Sequence, residues 1–138
     1  MRAGAATAAR EGRDAAAARA ARLPPVTLVR AGAPVLRARE ADTFGARLFG
    51  LLALPPLARD EALLIRPCSS VHTVGMGYAI DVAFVDRAGT ILRVVTLAPR
   101  RGALCRGAHA AIEMVAGTAA RLGLEPGRRL TVCDGGRS

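Results

Sequence analysis

"IDVAFVDRAGTILRVVTL", residues 80–97, decides the fold. Two runs rich in β-branched residues, 80–85 and 90–97, flank Asp86-Arg87-Ala88-Gly89. Branched Cβ atoms pack well on a pleated surface, so both runs read as strands. Asp at the first turn position and Gly at the fourth suit a type I turn, which makes the stretch a β-hairpin. Side chains alternate along a strand, so Ile80, Val82 and Phe84 share one face while Asp81, Ala83 and Val85 share the other. Apart from Asp81 both faces are apolar, which predicts a strand covered on both sides. A carboxylate there needs a partner. Arg47, His72 and backbone N–H groups are the candidates. Arg47 is favoured and would form an architectural ion pair, Arg47–Asp81. His72 would instead give the orienting half of a catalytic site.

The same signals extend outward from the hairpin. "VTLVRAGAPVLRAR" places two short β-prone runs around Ala31-Gly32-Ala33, a second hairpin. "ALLIRPC" reads as a buried strand. Residues 111–115 and 129–132 read as strands, with a helical turn around 118–122 between them. The principal helix is expected in "EADTFGARLFGLLAL", where Phe44, Leu48, Leu51 and Leu52 recur on one face and Asp42 or Thr43 can cap the start. Residues 1–25 contain 11 Ala and 5 Arg and no large apolar residue before Leu23. They read as a disordered tail without an apolar stripe to dock. The expected organisation is this tail and one domain over 26–134. The expected fold class is mostly β, α+β by content: a compact jelly-roll-like sandwich or barrel with one short principal helix.

Composition narrows the function. The chain has 138 residues and a net charge of +9. That charge points first to nucleic acid. All 20 basic residues are Arg, however, and they are spread along the chain beside 30 Ala, a pattern of biased composition and not of a phosphate-reading stripe. Four aromatic residues are too few for base-stacking platforms. Nucleic acid is therefore disfavoured as a partner. The three cysteines, Cys68, Cys105 and Cys133, form no C-x-x-C pair, so neither a disulfide framework nor a zinc knuckle is expected. No run of about 20 apolar residues suits a membrane span. Arg10, Glu11, Arg13 and Asp14 break up any signal-peptide core. A basic, cytoplasmic, monomeric protein of bacterial composition is the resulting expectation.

The chemistry-bearing segment is "PCSSVHTVGMGYAID", residues 67–81. A cysteine nucleophile needs its histidine within hydrogen-bond reach. If 68–72 is extended, the Cα atoms of Cys68 and His72 lie roughly 13 Å apart, so the loop would have to curl. The plainer reading is a buried cysteine behaving as a small hydrophobe. His109, Asp81, Asp86 and Glu113 match no metal-ligand spacing, so no metal or cofactor is expected. Glu113 lies between Ile112 and Met114 and is a candidate second buried carboxylate.

Several phrases in fixed order resemble the domain of unknown function 192 family. They are R-x-x-G-L-L (Arg47 to Leu52), P-C-S-S-V-H-T-x-x-M (Pro67 to Met76), I-D-V-A-F-V-D-x-x-G (Ile80 to Gly89), I-E-x-x-A-G (Ile112 to Gly117) and G-L-x-P-G (Gly123 to Gly127). The resemblance spans about residues 38–132. It implies a small β sandwich or barrel with a short helix, and it carries no activity, so no catalytic residue transfers. Gly77 and Ala79 stand where many relatives have Arg and Pro. Pro99-Arg100-Arg101 replaces a Pro-Trp-Arg phrase, so any pocket there is less aromatic.

Two functions remain in view. The leading expectation is a non-enzymatic accessory domain that binds a small molecule or protein in a cleft formed by Cys68, Ser70, His72, Met76 and Asp81. The alternative is a thiol-dependent hydrolase or transferase with Cys68 as nucleophile, His72 as base and Asp81 as orienter.

Overall fold

The computed structural model describes residues 25–41, 57–73 and 77–134. The expected tail, except its last residue Pro25, which opens the first strand, and the expected principal helix fall outside these residues, as do Arg47 and Met76. Nine strands and one short helix are described: β1 (Pro25–Arg30), β2 (Ala33–Ala41), β3 (Glu61–Ile65), β4 (Ser70–His72), β5 (Ile80–Val85), β6 (Ile91–Leu97), β7 (Gly102–Leu104), β8 (Ala110–Val115), α1 (Thr118–Leu122) and β9 (Thr131–Asp134). Seven strands form one sheet in the order β6-β5-β8-β3-β2-β1-β9, and β4 pairs with β7 in a separate ribbon.

The mostly β fold is the one expected, in the form of a single curled sheet. Its two edge strands are β6 and β9. Just outside them Thr90 bridges Arg129, and the Ile91 N–H donates to the Arg128 carbonyl at 2.8 Å. These contacts draw the edges together into a partly closed barrel, which protects strand edges that would otherwise invite pairing with another chain.

The expected β5–β6 hairpin is present, with Asp81 opposite Thr96 and Val82 opposite Val95 and a shift in register between Phe84 and Val85. In its turn Asp86 Oδ1 accepts from the N–H groups of Ala88 and Thr90, both at 2.9 Å. The first hairpin turns on Ala31 and Gly32, both with positive φ, a two-residue turn whose twist matches the flanking strands. Gly89 meets a harsher constraint. A Cβ there would lie 2.0 Å from the Leu130 carbonyl oxygen, so only glycine lets the hairpin tip close onto the segment before β9.

Strand β5 is buried along its whole length, as the two apolar faces required. One face, inside the curl, packs Ala83, Val85, Ile112 and Met114 with Leu28, Leu36, Leu64, Leu124 and Leu130. The other packs Leu63, Ile65, Ile80, Val82, Phe84 and Ala111 beneath Cys68, Val71, Tyr78, Ala103 and Cys105. The β4–β7 ribbon and its flanks are thus the roof of a second core.

Candidate functional site

Asp81 is 2% exposed, as a strand covered on both sides implies. Its Oδ1 accepts from the Thr96 hydroxyl at 2.6 Å, and its Oδ2 accepts from the N–H groups of Gly117 and Ala119 at 2.9 and 3.0 Å. The last two are orphan donors at the start of α1. Gly117, the N-cap, has no side chain with which to satisfy them. Asp81 therefore caps the helix from a neighbouring strand. Of the sequence candidates, the described partners are backbone N–H groups together with Thr96. Arg47, the favoured one, lies outside the described residues.

The Cys68–His72 segment is half loop and half strand. Cys68 is half-buried, and its thiol donates to the Ser70 carbonyl at 3.1 Å. Its N–H donates to the His109 carbonyl at 2.9 Å. Ser70 and His72 are exposed on β4, opposite Leu104 and Gly102. Thr73, completely buried, clasps the next loop: its hydroxyl donates to the Ala98 carbonyl at 2.6 Å and accepts from the Arg101 N–H at 2.8 Å. This segment places the Cys68 thiol, the Thr73 hydroxyl and backbone carbonyls in hydrogen bonds that hold the roof in place.

The unsatisfied chemistry lies beneath that roof. Glu113 stands on β8 between Leu63 of β3 and Val82 of β5, on the face of the second core. It is 5% exposed. Burial pushes its carboxyl up from 4.5 to about 7, and no hydrogen bond or ion pair among the described residues offsets that cost. Tyr78, from the end of the loop before β5, packs against the same core. Its hydroxyl is buried without a hydrogen-bond partner among the described residues. Burial raises its pKa above 10.0, and the nearby Glu113 charge raises it further.

The sequence marks Glu113 as a candidate buried carboxylate and gives no such mark to Tyr78. The lone acidic residue in "AAIEMV" was the visible signal for Glu113. Nothing in "GYA" announced a buried hydroxyl. No group of three or more metal-ligating side chains occurs among the described residues. No helix among them is long and apolar enough to cross a membrane.

The family profile of domain of unknown function 192, an "Uncharacterized ACR", matches residues 26–132. The chain belongs to this family. The match covers the whole curled sheet up to Val132. Two solved structures share the fold. A protein of unknown function from Novosphingobium aromaticivorans DSM 12444 aligns at a TM-score of 0.67 with 22% identity, over 78% of this chain and 83% of that one. A candidate transcription regulator of Sinorhizobium meliloti 1021 aligns at 0.68 with 25% identity, over 79% and 92%. No curated protein matches.

Proposed function

We propose that this member of the domain of unknown function 192 family is a non-enzymatic binding domain. Its site is the sheet face carrying Glu113, with Tyr78 packed against it, beneath Cys68 and the β4–β7 ribbon. The observation that carries the reading is the buried Tyr78 hydroxyl, which has no hydrogen-bond partner among the described residues, on the same core as Glu113, whose carboxyl burial pushes up to about 7. Each unsatisfied buried group costs about 1–3 kcal/mol. A domain that keeps such a hydroxyl close to a largely buried carboxyl is shaped for something that satisfies it.

Below about pH 7 the Glu113 carboxyl is mostly protonated, and it and the phenol then each offer one O–H donor and acceptor oxygens. Together they suit an uncharged ligand presenting a hydroxyl or carboxamide group. The roof's two strands have three residues each, and the proposed way in is a local opening of this short ribbon. The thiol-dependent reading is less well supported, because Asp81, its orienting residue, has both oxygens engaged in holding Thr96 and α1. The regulator label of the Sinorhizobium protein belongs to that protein. Here the arginines are dispersed, which does not favour a nucleic-acid partner.

A titration of small polyol and carboxamide fragments, followed through backbone amide shifts, tests the reading. Shifts should cluster on Leu63, Tyr78, Val82 and Glu113 and weaken in Tyr78→Phe and Glu113→Gln. Saturable shifts that survive both substitutions unchanged, or no shifts at millimolar fragment, would overturn it.

A further inference from the structure

The inside of the curl holds a second feature, on the sheet face opposite Glu113. At the Val85 end of β5 a cavity of about 230 Å³ opens between the sheet and the segment leading into β9. Its floor is apolar, formed by Leu64, Val85, Ile112 and Leu130 among others. Its charged lining is mostly cationic: Arg66, Arg87 and Arg129, with His109 and one acidic residue, Asp86. A shallower groove continues from it past Asp86, Arg87, Ala88, Gly107 and His109.

The charges are not equivalent. Arg66 is paired with Glu40. Asp86 gives Oδ1 to its own turn. Arg129 donates its Nε to the Ala88 carbonyl at 2.9 Å, which anchors the guanidinium at the rim and leaves its terminal N–H groups with no bond among the described residues. Arg87 is exposed and makes no hydrogen bond among the described residues.

The tip that carries these groups is fixed in advance. The Leu130 N–H donates to the Gly89 carbonyl at 2.9 Å, and the Gly89–Leu130 approach leaves no room for any other residue. The pre-ordered backbone of the tip loses little entropy on binding.

We infer that the barrel mouth binds a small amphiphilic anion, with its apolar body on the Leu64–Ile112–Leu130 floor and a carboxylate or phosphate held by Arg87 and Arg129. Barrel mouths are common places for small-ligand sites, and guanidinium groups are matched to oxyanions. The cavity has room for a body on the order of ten non-hydrogen atoms.

The test uses the full chain and three probes: phenyl phosphate, inorganic phosphate and phenol. Phenyl phosphate should bind saturably, with amide shifts at Ala88, Gly89, Arg129 and Leu130. Inorganic phosphate and phenol should each bind more weakly, since each offers half of the recognition. Arg87→Gln should weaken phenyl phosphate about tenfold, the scale of one lost charge-assisted contact. Because Arg87 is exposed and unbonded within the described fold, this variant keeps the tip intact even if Arg129→Gln loosens it. Glu113→Gln should leave this binding unchanged, which separates the site from the Glu113–Tyr78 face. Equal binding of phenol and phenyl phosphate would overturn the inference. So would unchanged affinity in Arg87→Gln, or no saturable binding of phenyl phosphate.

Discussion

Asp81 Oδ2 accepts from the Ala119 N–H at 3.0 Å, across 38 residues of chain, and so fastens α1 to β5 of the sheet. Ala119 packs into the inner core together with Leu124, just past the helix. One buried carboxylate therefore joins β5, Thr96 of β6 and the helix start. Asp81→Ala would strand two N–H donors and a hydroxyl. A loss of about 2–4 kcal/mol is expected. Asp81→Asn, which retains one acceptor oxygen for the helix, should lose less. Urea unfolding midpoints of the two variants check this ordering. An Asp81→Ala midpoint equal to that of the native protein would contradict it.

Glu113 makes stability depend on pH in a defined direction. Below about 4.5 its carboxyl is neutral in both folded and unfolded chains, and there is no penalty. As pH rises from 4.5 towards 7 the unfolded chain releases the proton while the folded chain retains it, so the unfolded state is favoured. The loss levels off above the folded value of about 7 and amounts to about 3 kcal/mol. Glu113→Gln removes this dependence. Relative to the native chain, the variant should therefore be more stable near pH 8 than near pH 5. Denaturant unfolding at the two pH values reads the difference directly, and a parallel pH profile in the variant would count against the buried carboxyl.

Gly89 and Gly127 both have positive φ, yet their surroundings differ. A Cβ at Gly127 meets nothing within 4 Å, whereas one at Gly89 strikes the Leu130 carbonyl. Gly127→Ala should cost about 1 kcal/mol of backbone strain. Gly89→Ala should cost clearly more and should also detach the tip from the segment before β9. Thermal midpoints rank the two variants, and hydrogen exchange at the Leu130 amide, which bonds Gly89, reports the detachment.

The three thiols should label in an order set by access. Cys133 is exposed on edge strand β9, while Cys68 and Cys105 are half-buried and pack against the second core. Cys133 should react first in the folded protein, and the other two should need opening of the roof. Because His72 is exposed on β4, His72→Ala should leave the Cys68 rate unchanged. A marked slowing in that variant would restore the thiol-dependent reading.

The elements legible in the sequence were those whose signals are local. The 80–97 hairpin announced itself through alternation and turn chemistry, and the 118–122 helical turn and the 111–115 strand also lie where the residues placed them. The last strand begins at Thr131, two residues later than its apolar pattern suggested, because Arg129 makes only the isolated bridge to Thr90. Strands β4 and β7 escaped notice because three residues are too short for a period-two pattern to show, and their Ser and Gly content reads as loop. The site was legible only in part. The need for a partner at Asp81 followed from burial, but Gly117 and Ala119 lie far along the chain and offer backbone groups that leave no mark on the sequence. Tyr78 became important through a missing bond, which only three-dimensional packing reveals.

The central claim is that Glu113 is held unpaired against an apolar face beside the Tyr78 hydroxyl. The most direct test is a ¹³C titration of the Glu113 side-chain carboxyl in the native chain. A midpoint near 7 is expected. A midpoint near 4.5, the value of a solvated carboxyl, would contradict the claim and remove the basis for a ligand site on that face.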